Sequence, residues 1–348
     1  MNWKPDTLWW IITGACNLKC KHCYIEAPKG KYGQITTKQA FEVVDKVISA
    51  GIYKFFITGG EPFLRTDILS IFEHIYERGG KVTGLESNGT IMNEKILSFL
   101  KEKDIFVNIS HDGINFMSKN RGGNIEDRIL KTIKLLVDRG VTTNVNTVVI
   151  PNNKKAIIEI FYKLKDIKIN QWLLFSPFNT GNYLENYRML TPEEEIDVYK
   201  SIYNLWLKNN KPFHIRLGNT FDSTNPNTKW ENYICEYFRN TITLFPDGQI
   251  TPCCKYIIHK DYSRFPNIFK NSMEEILTDP LLVSFKNDKM ENIFIHNPEC
   301  RYCELLDKCN AGCRMESYLN NYSKYTKDHR NCKLMKLSVN IFSDYVPK

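Results

Sequence analysis

The eleven cysteines of this chain fall into two groups, with none in the long stretch from residue 24 to residue 234. Cysteines that only pack in a core would not be gathered this way. The sequence shows no export signal, so it also gives no reason to expect a disulfide framework, because the cytosol keeps thiols reduced. We therefore interpret both groups as ligands of metal ions or iron–sulfur clusters. The first group is Cys16, Cys20 and Cys23, and the second is Cys235, Cys253, Cys254, Cys300, Cys303, Cys309, Cys313 and Cys332.

The composition is that of an ordinary globular protein with room for two domains. The chain has 348 residues, 42% of them hydrophobic, and a formal net charge of +8. No apolar run approaches the ~18 residues of a membrane span, and no secretory leader is visible, which predicts a cytoplasmic protein with no membrane association. The basic residues are spread along the chain, so no nucleic-acid partner is expected.

Between the two cysteine groups, short apolar runs alternate with helical patterns. Strands are predicted at 8–13, 55–58, 81–85, 105–109, 143–150 and 172–175. Apolar residues spaced by three and four predict helices in the intervals, for example at 37–49, 67–78 and 125–138, and Thr191-Pro192 is typical of a helix start. Six strand–helix units in series predict an α/β fold with a parallel sheet, curled by right-handed crossovers into a barrel or partial barrel.

Polar or glycine-rich segments follow the first four predicted strands. They are Cys16 to Cys23, Gly59-Gly60-Glu61-Pro62, Ser87-Asn88-Gly89 and Ser110-His111-Asp112-Gly113. In barrels of this kind the chemistry takes place at the carboxyl ends of the strands. We therefore expect all four segments to lie on one rim, where the backbone can approach a ligand closely.

The three N-terminal cysteines can hold three corners of a cubane iron–sulfur cluster and leave the fourth iron for another ligand. A zinc site is the alternative, and it requires a fourth protein ligand. His22 could supply one, but it lies between Lys21 and Cys23 and is poorly placed. The spacing favours the cluster.

This pattern resembles the radical S-adenosylmethionine (SAM) superfamily. The resemblance rests on Cys16-x3-Cys20-x2-Cys23 after the first strand and Gly59-Gly60-Glu61-Pro62 after the second, and it covers about the first 210 residues. It implies a partial (β/α)6 barrel and a [4Fe-4S] cluster whose open iron binds SAM. In that family an electron from the cluster cleaves SAM and releases a 5′-deoxyadenosyl radical.

The resemblance also implies SAM contacts. Gly59, Gly60 and Glu61 would meet the amino group of SAM, since carbonyl and carboxylate oxygens accept hydrogen bonds from it. Ser87 and Asn88 would meet the ribose. Ser110, with either Arg121 or Arg128, would bind the methionine carboxylate. His22 would lie along the adenine.

The C-terminal third has a different character. Residues 240–253 predict a β-hairpin around the turn Pro246-Asp247-Gly248-Gln249. Further on, Cys300-x2-Cys303-x5-Cys309-x3-Cys313 is followed by Cys332. Zinc ribbons could use such spacing, but zinc has no redox chemistry to serve an upstream radical site.

Together with Cys235 and Cys253, this spacing resembles the SPASM domain, which is appended to radical SAM enzymes that modify peptides and proteins and carries two auxiliary [4Fe-4S] clusters. The resemblance implies three clusters in the whole chain and a division into a barrel at 1–215 and a small α+β SPASM domain at 216–348. It assigns Cys235, Cys253 and Cys313 to the first auxiliary cluster. Cys300, Cys303, Cys309 and Cys332 would hold the second.

The fourth ligand of the first auxiliary cluster stays open in the sequence. Some relatives have a further cysteine just upstream of the first SPASM cysteine, but residues 227–232 contain none. Cys254 could serve, and all eleven cysteines would then be ligands. Neighbouring side chains diverge in extended chain, which favours an iron open to another ligand.

The expected function is hydrogen-atom abstraction from a peptide or protein, most simply a ribosomally made precursor. Expected partners are that substrate, a flavodoxin- or ferredoxin-type electron donor and a separate leader-recognition protein. The same chemistry on a small molecule such as a tetrapyrrole side chain is one alternative, and a non-enzymatic zinc protein is another. The sequence identifies no catalytic proton or hydrogen-atom donor.

Overall fold

A computed structural model describes residues 4–27, 32–224, 235, 240–258, 261–321 and 323–342. Within them, ten strands form one sheet in the order β10-β9-β1-β2-β3-β4-β5-β6-β7-β8. The strands are β1 (Thr7–Ile11), β2 (Lys54–Thr58), β3 (Lys81–Ser87), β4 (Phe106–Ser110), β5 (Thr143–Val148), β6 (Gln171–Phe175), β7 (His214–Leu217), β8 (Phe221–Asp222), β9 (Thr241–Leu244) and β10 (Ile250–Thr251).

The described helices divide between the barrel and the C-terminal region. The barrel has α1 (Thr37–Ser49), α2 (Ile68–Glu77), α3 (Glu94–Glu102), α4 (Met117–Arg121), α5 (Glu126–Asp138), α6 (Lys154–Ile167), α7 (Asn182–Asn186) and α8 (Pro192–Lys208). The C-terminal region has α9 (Met273–Thr278), α10 (Pro280–Lys286), α11 (Met290–His296), α12 (Leu306–Cys309), α13 (Arg314–Asn321) and α14 (His329–Phe342).

Local sequence explains where the main helices start. Thr36 and Thr191 each form a capping box, with Gln39 and Glu194 respectively, and these boxes begin α1 and α8. The apolar faces of the helices then cover the outer face of the sheet, where Trp10, Phe55 and Phe72 are fully buried. Each such side chain contributes about 1.5–3 kcal/mol by leaving water.

The inner face of the sheet carries aromatic rings at one end of the barrel. Trp9 and Phe56 stack with ring centroids 4.0 Å apart, and Phe106 lies 5.9 Å from Phe56. Gly84 makes room for Phe106, since a Cβ atom there would come within 2.4 Å of the ring. These rings close the barrel interior below the rim where the strands end.

The six predicted strands are confirmed, and the sheet continues beyond them. β7 pairs parallel to β6, and the short β8 returns antiparallel to β7. The sequence analysis missed β7, because four residues with two exposed side chains give little apolar signal. The predicted boundary between residues 215 and 216 falls within this strand.

The predicted C-terminal hairpin is also confirmed, as β9 and β10. Its place in the sheet was not foreseen: β9 pairs parallel to β1, from Thr7 opposite Thr241 to Trp10 opposite Leu244. The C-terminal region is therefore joined to the barrel by main-chain hydrogen bonds. Among the described residues, no helix is long and apolar enough to cross a membrane.

Candidate active site

A single cavity of about 460 Å³ opens at the carboxyl ends of the strands. Its lining includes thiols from both cysteine groups, so residues far apart in sequence face one space. One wall carries the first group: Cys16, Cys20 and Cys23. The other carries four thiols of the second: Cys235, Cys253, Cys254 and Cys313.

The loop that carries the first three thiols is anchored to the glycine-rich loop after β2. Gly60 donates its backbone N–H to Thr13, and Glu61 donates to Ala15. A Cβ atom at Gly60 would lie 2.0 Å from the Ala15 carbonyl oxygen, so only glycine allows this approach.

N–H groups surround the three sulfur atoms. The backbone of Leu18 donates to Cys16 Sγ and that of Ala27 donates to Cys23 Sγ, both at 3.4 Å. The Arg121 guanidinium lies 3.8 Å from Cys20 Sγ. Burial raises the pKa of the Cys20 thiol to about 11. A metal must therefore displace the protons of these thiols, while the N–H groups stabilise the thiolates that result.

Among the described residues, no three histidine, cysteine or acidic side chains converge on a point where one metal ion could sit. A cubane cluster takes one thiolate at each iron, so its ligands stand around it rather than converging on one point. Three thiols on one cavity wall, each near an N–H donor or a cation, fit such a cluster.

The Glu61 carboxylate is held by hydrogen bonds within the protein and is not part of the cavity lining. Its buried carboxylate accepts hydrogen bonds from the backbone N–H groups of Phe63 and Asn88 and from the Ser87 hydroxyl, at 2.7–3.2 Å. It does not line the cavity, whereas Gly59 and Gly60 do. Burial raises its pKa to about 7, although these three donors lower it. Glu61 therefore ties the loop after β2 to the loop after β3.

Arg121 and Arg128, the two candidates for the methionine carboxylate, lie in different places. Arg121 is buried and lines the cavity, whereas Arg128 is exposed on α5 and does not. Arg121 is already paired with Asp112: Nε and Nη2 donate to the two carboxylate oxygens at 2.7 and 2.8 Å. Burial alone would raise the pKa of Asp112, but Arg121, His22 and Asn120 together hold that pKa well below the usual range.

His22 belongs to the same buried network. Its Nδ1 lies 2.9 Å from the Asn120 side-chain nitrogen and 3.9 Å from Asp112. Burial lowers its pKa, with Asp112 opposing and Arg121 assisting, so the ring is predominantly neutral at pH 7. Its place in the cavity lining is compatible with a flat ligand beside it.

The remaining predicted contacts, Ser87, Asn88 and Ser110, all line the cavity. The Ser87 hydroxyl is used by Glu61, and the Asn88 side chain donates to Asn17 at 2.9 Å. Ser87 and Asn88 thus already form hydrogen bonds with neighbouring residues of the rim.

Glu86 is a cavity residue that the sequence analysis missed. Its carboxylate accepts from Thr58 Oγ1 at 2.9 Å and from Asn146 Nδ2 at 3.4 Å, and all three residues line the cavity. Burial raises its pKa, and within the described chain it forms no ion pair. The available signal was a carboxylate near the carboxyl end of a parallel strand, directly before Ser87.

The part of the cavity lining that carries the C-terminal thiols also places a cation beside a thiol. Lys255 Nζ lies 3.7 Å from Cys313 Sγ and 2.7 Å from the Glu316 carboxylate. The neighbouring Cys254 thiol, together with burial, raises the pKa of Cys253 well above its usual range. They pack differently, however: Cys254 lies against the apolar cluster that also contacts Cys16, Cys23 and Tyr24, whereas Cys235, Cys253 and Cys313 pack against the main core.

The other four C-terminal thiols are gathered in a separate place. Burial raises the pKa of Cys309 to about 11, and the neighbouring thiols of Cys332 and Cys300 add to this. Cys303 and Cys332 in turn raise the pKa of Cys300 beyond the effect of its burial. The structure thus brings together the four residues predicted to hold the second auxiliary cluster. Residues 227–232, where the sequence has no further cysteine, lie outside the described residues.

Comparisons with known proteins agree with this arrangement. The family model of the radical SAM superfamily matches residues 10–164, and that of the SPASM iron–sulfur cluster-binding domain matches residues 235–304. The chain belongs to the radical SAM superfamily. It is an enzyme of the radical SAM/SPASM class, and its cofactors are SAM and [4Fe-4S] clusters.

Two curated relatives show the range of the class. The chain is 28% identical over 288 residues to the antilisterial bacteriocin subtilosin biosynthesis protein AlbA of Bacillus subtilis, a match covering 78% of this chain and 59% of AlbA. It is 23% identical over 366 residues to the Fe-coproporphyrin III synthase of Methanosarcina barkeri, covering 97% of this chain and 90% of that protein. The chain therefore spans less than two thirds of AlbA.

The fold matches that of Streptococcus suis SuiB bound to S-adenosylmethionine, with a TM-score of 0.74 and 17% identity over 94% of this chain and 77% of SuiB. SuiB has also been solved bound to its precursor peptide SuiA. At this identity the likeness concerns the fold, and it confirms the predicted partial barrel with a C-terminal SPASM domain.

Proposed function

We propose that this radical SAM/SPASM enzyme abstracts a hydrogen atom from a carbon of a peptide or protein, most simply a ribosomally made precursor. The observation that carries the proposal is the shared cavity, which has three thiols on one wall and four on the other. Because both thiol groups line the same cavity, a substrate that enters it can reach both sites. The names of AlbA and of SuiB bound to SuiA support a peptide.

We assign the cluster ligands as the sequence resemblance implies. Cys16, Cys20 and Cys23 hold the SAM-binding cluster. Cys235, Cys253 and Cys313 hold the first auxiliary cluster, because they share the main-core packing that Cys254 lacks. Cys300, Cys303, Cys309 and Cys332 hold the second.

When bound, the SAM-binding cluster and SAM supply a 5′-deoxyadenosyl radical. The chain's own residues bind and orient SAM. The Gly59 and Gly60 backbone would hold its amino group, while Glu61 acts indirectly by fixing the two loops. Arg121, held by Asp112, directs its remaining nitrogen Nη1 toward Cys20 and the cavity. Arg121 and Ser110 would hold the methionine carboxylate, Ser87 and Asn88 would hold the ribose, and His22 would lie beside the adenine.

The cavity walls favour entry of a single side chain rather than a folded surface. Its lining is mainly apolar and includes Trp9, Leu173, Phe175, Phe178 and Met315, with Glu86 as a carboxylate that forms no ion pair in the described chain. Pockets of this size enclose a small group and exclude water from it. A peptide that places one residue in the cavity fits this shape.

A tetrapyrrole side chain is the second candidate substrate. It is favoured by the near full-length match to the Fe-coproporphyrin III synthase. An electron donor of the flavodoxin or ferredoxin type, a separate leader-recognition protein and a cytoplasmic location are further parts of this proposal.

The test is an anaerobic assay of the reconstituted enzyme with SAM and dithionite. Candidate precursor peptides from the gene neighbourhood are added in one series. Iron tetrapyrroles that carry carboxylate side chains are added in another, in which formation of Fe-coproporphyrin III, the compound made by the relative, is monitored. We expect about 12 irons per chain, 5′-deoxyadenosine formation, and a mass change in a peptide. A mass change in the porphyrin alone would contradict the peptide proposal, and zinc without iron would contradict the cluster assignment.

A further inference from the structure

Lys255 combines three contacts that single it out among the described lysines. Its ammonium lies 3.7 Å from Cys313 Sγ, 2.7 Å from the Glu316 carboxylate and 4.5 Å from the centre of the Phe178 ring. Its side chain is 20% exposed and lines the cavity. It therefore holds its charge against a sulfur atom rather than in bulk water.

The ring beneath this ammonium links it to the other wall. Phe178 follows β6 and packs edge-on against Tyr24, with ring centroids 5.0 Å apart. Tyr24 directly follows Cys23. The Phe178 ring thus holds the ammonium by a cation–π contact, and the Glu316 carboxylate holds it by an ion pair.

The second auxiliary site is built differently. In the described chain, the side-chain donor to one of its sulfur atoms is the neutral amide of Asn331, 3.5 Å from Cys309 Sγ. The cation that influences Cys300 is Lys327, whose side chain is 21% exposed, about as much as that of Lys255. Within the described chain its ammonium binds Glu299, which is 57% exposed, and makes no hydrogen bond to a thiol. Water screens such a pair.

We propose that Lys255 is a positioning residue that acts through Cys313 to raise the reduction potential of the first auxiliary cluster above that of the second. The inference rests on the proposed ligand assignment. Reduction adds one electron and therefore one negative charge to a cluster. An adjacent ammonium that is largely shielded from water stabilises that charge, since the potential of an iron–sulfur cluster follows the net charge and the hydrogen bonds at its sulfurs.

Other charges near Cys313 do not alter the direction of this effect. Arg314 is buried, and its described hydrogen bonds go to backbone carbonyl oxygens, while Asp328 accepts from the Cys313 backbone N–H at 3.2 Å. Both are present in every variant below. Glu316 opposes Lys255, so removing one or the other must shift the potential in opposite directions.

The experiment is a redox titration followed by electron paramagnetic resonance. It uses full-length protein in which Cys16, Cys20 and Cys23 are alanine, so that only auxiliary clusters give signals. For Lys255→Met, we expect the ratio of reduced to oxidised first auxiliary cluster at a fixed potential to fall about tenfold, a shift of about 59 mV for one electron. The second cluster serves as the internal reference and should not move.

Two further variants keep the test decisive if Lys255→Met fails to assemble its clusters. Lys255→Arg should retain a potential close to that of the parent, and Glu316→Gln should raise it. Lys324 is the matched control, because it is 15% exposed, 2.6 Å from Asp288 and 4.5 Å from the centre of the Phe285 ring. Within the described chain it contacts no thiol, so Lys324→Met should leave both potentials unchanged.

The outcomes separate this inference from the proposed function. The inference alone would be overturned if both auxiliary clusters gave signals but neither potential changed in the Lys255 and Glu316 variants. It would also be overturned if the second cluster had the higher potential in the parent protein. Fewer than two auxiliary clusters in the parent would overturn the ligand assignment and the inference together.

Discussion

The two walls of the cavity both place a cation near a thiol, but they balance its charge differently. On the barrel wall, Asp112 holds Arg121 through two hydrogen bonds, and both side chains are almost fully buried. On the C-terminal wall, Glu316 holds Lys255 through one contact, and the ammonium is also directed at Cys313. The charge of the barrel cation is thus largely balanced by its carboxylate partner, whereas the C-terminal cation is shared between a carboxylate and a thiol.

The largest expected effect concerns the barrel wall alone. Cys20→Ala removes one of three thiolates, so formation of 5′-deoxyadenosine should fall to background and iron should drop from about 12 to about 8 per chain. Cys303→Ala is the matched change at the distant site and should leave the SAM-binding cluster in place. Persistent SAM cleavage by Cys20→Ala would contradict the division of labour between the walls.

The next largest effect concerns the buried ion pair between Asp112 and Arg121. Asp112→Asn leaves the buried Arg121 without its anion, and we expect it to lower the free energy of unfolding by about 3–5 kcal/mol. Asp138→Asn is the control. It removes an exposed partner of Lys134 and should cost at most about 0.5 kcal/mol in urea unfolding. Equal losses in the two variants would show that the barrel pair is not tightly held.

A smaller effect concerns the junction between the two regions. Arg330 at the start of α14 pairs with Glu195 on α8, and the same carboxylate accepts from Ser176 and Tyr199 at 2.6 Å. Arg330→Met should cost about 3 kcal/mol by leaving Glu195 buried without its cation.

Adding Glu195→Gln to Arg330→Met should recover part of that loss, as measured in a double-mutant cycle. Additive losses would mean that the pair does not couple the two regions.

The smallest effect sharpens the contrast between the auxiliary sites. Asn331→Ala removes a neutral N–H donor from Cys309. It should lower the potential of the second auxiliary cluster by less than Lys255→Met lowers that of the first, because a neutral dipole stabilises added charge less than an ammonium does. The redox titration described above measures both shifts, and a larger shift in Asn331→Ala would reverse the ranking.

Much of the fold could be predicted because its strands are apolar and its helices periodic. The six core strands and the hairpin were found at nearly their observed positions. β7 was missed, since its alternation is too short to stand out. The pairing of β9 with β1 was missed because nothing local in either strand specifies a partner so far away in sequence.

The candidate site could likewise be predicted only in part from the sequence. The resemblance to the SPASM domain, which rests on the cysteine motifs, implied C-terminal thiol groups that the structure brings together, although the two groups interleave along the sequence. Glu86, Lys255 and Asp112 were not assigned roles, since a single charged residue has the same appearance on a solvated surface as in a cavity. For Glu61, motif and geometry differ: the residue belongs to the motif, but its carboxylate serves the neighbouring loops.

The parallel pairing of β9 with β1 has a consequence for biosynthesis. β1 leaves the ribosome before its partner, which follows more than 200 residues later. Until then one edge of β1 exposes unpaired main-chain groups, and such edges invite association with other chains. The barrel therefore cannot complete its sheet before β9 has been made. Closure awaits the same C-terminal region that supplies the auxiliary cysteines, so a truncated chain would lack both an edge strand and its second set of ligands.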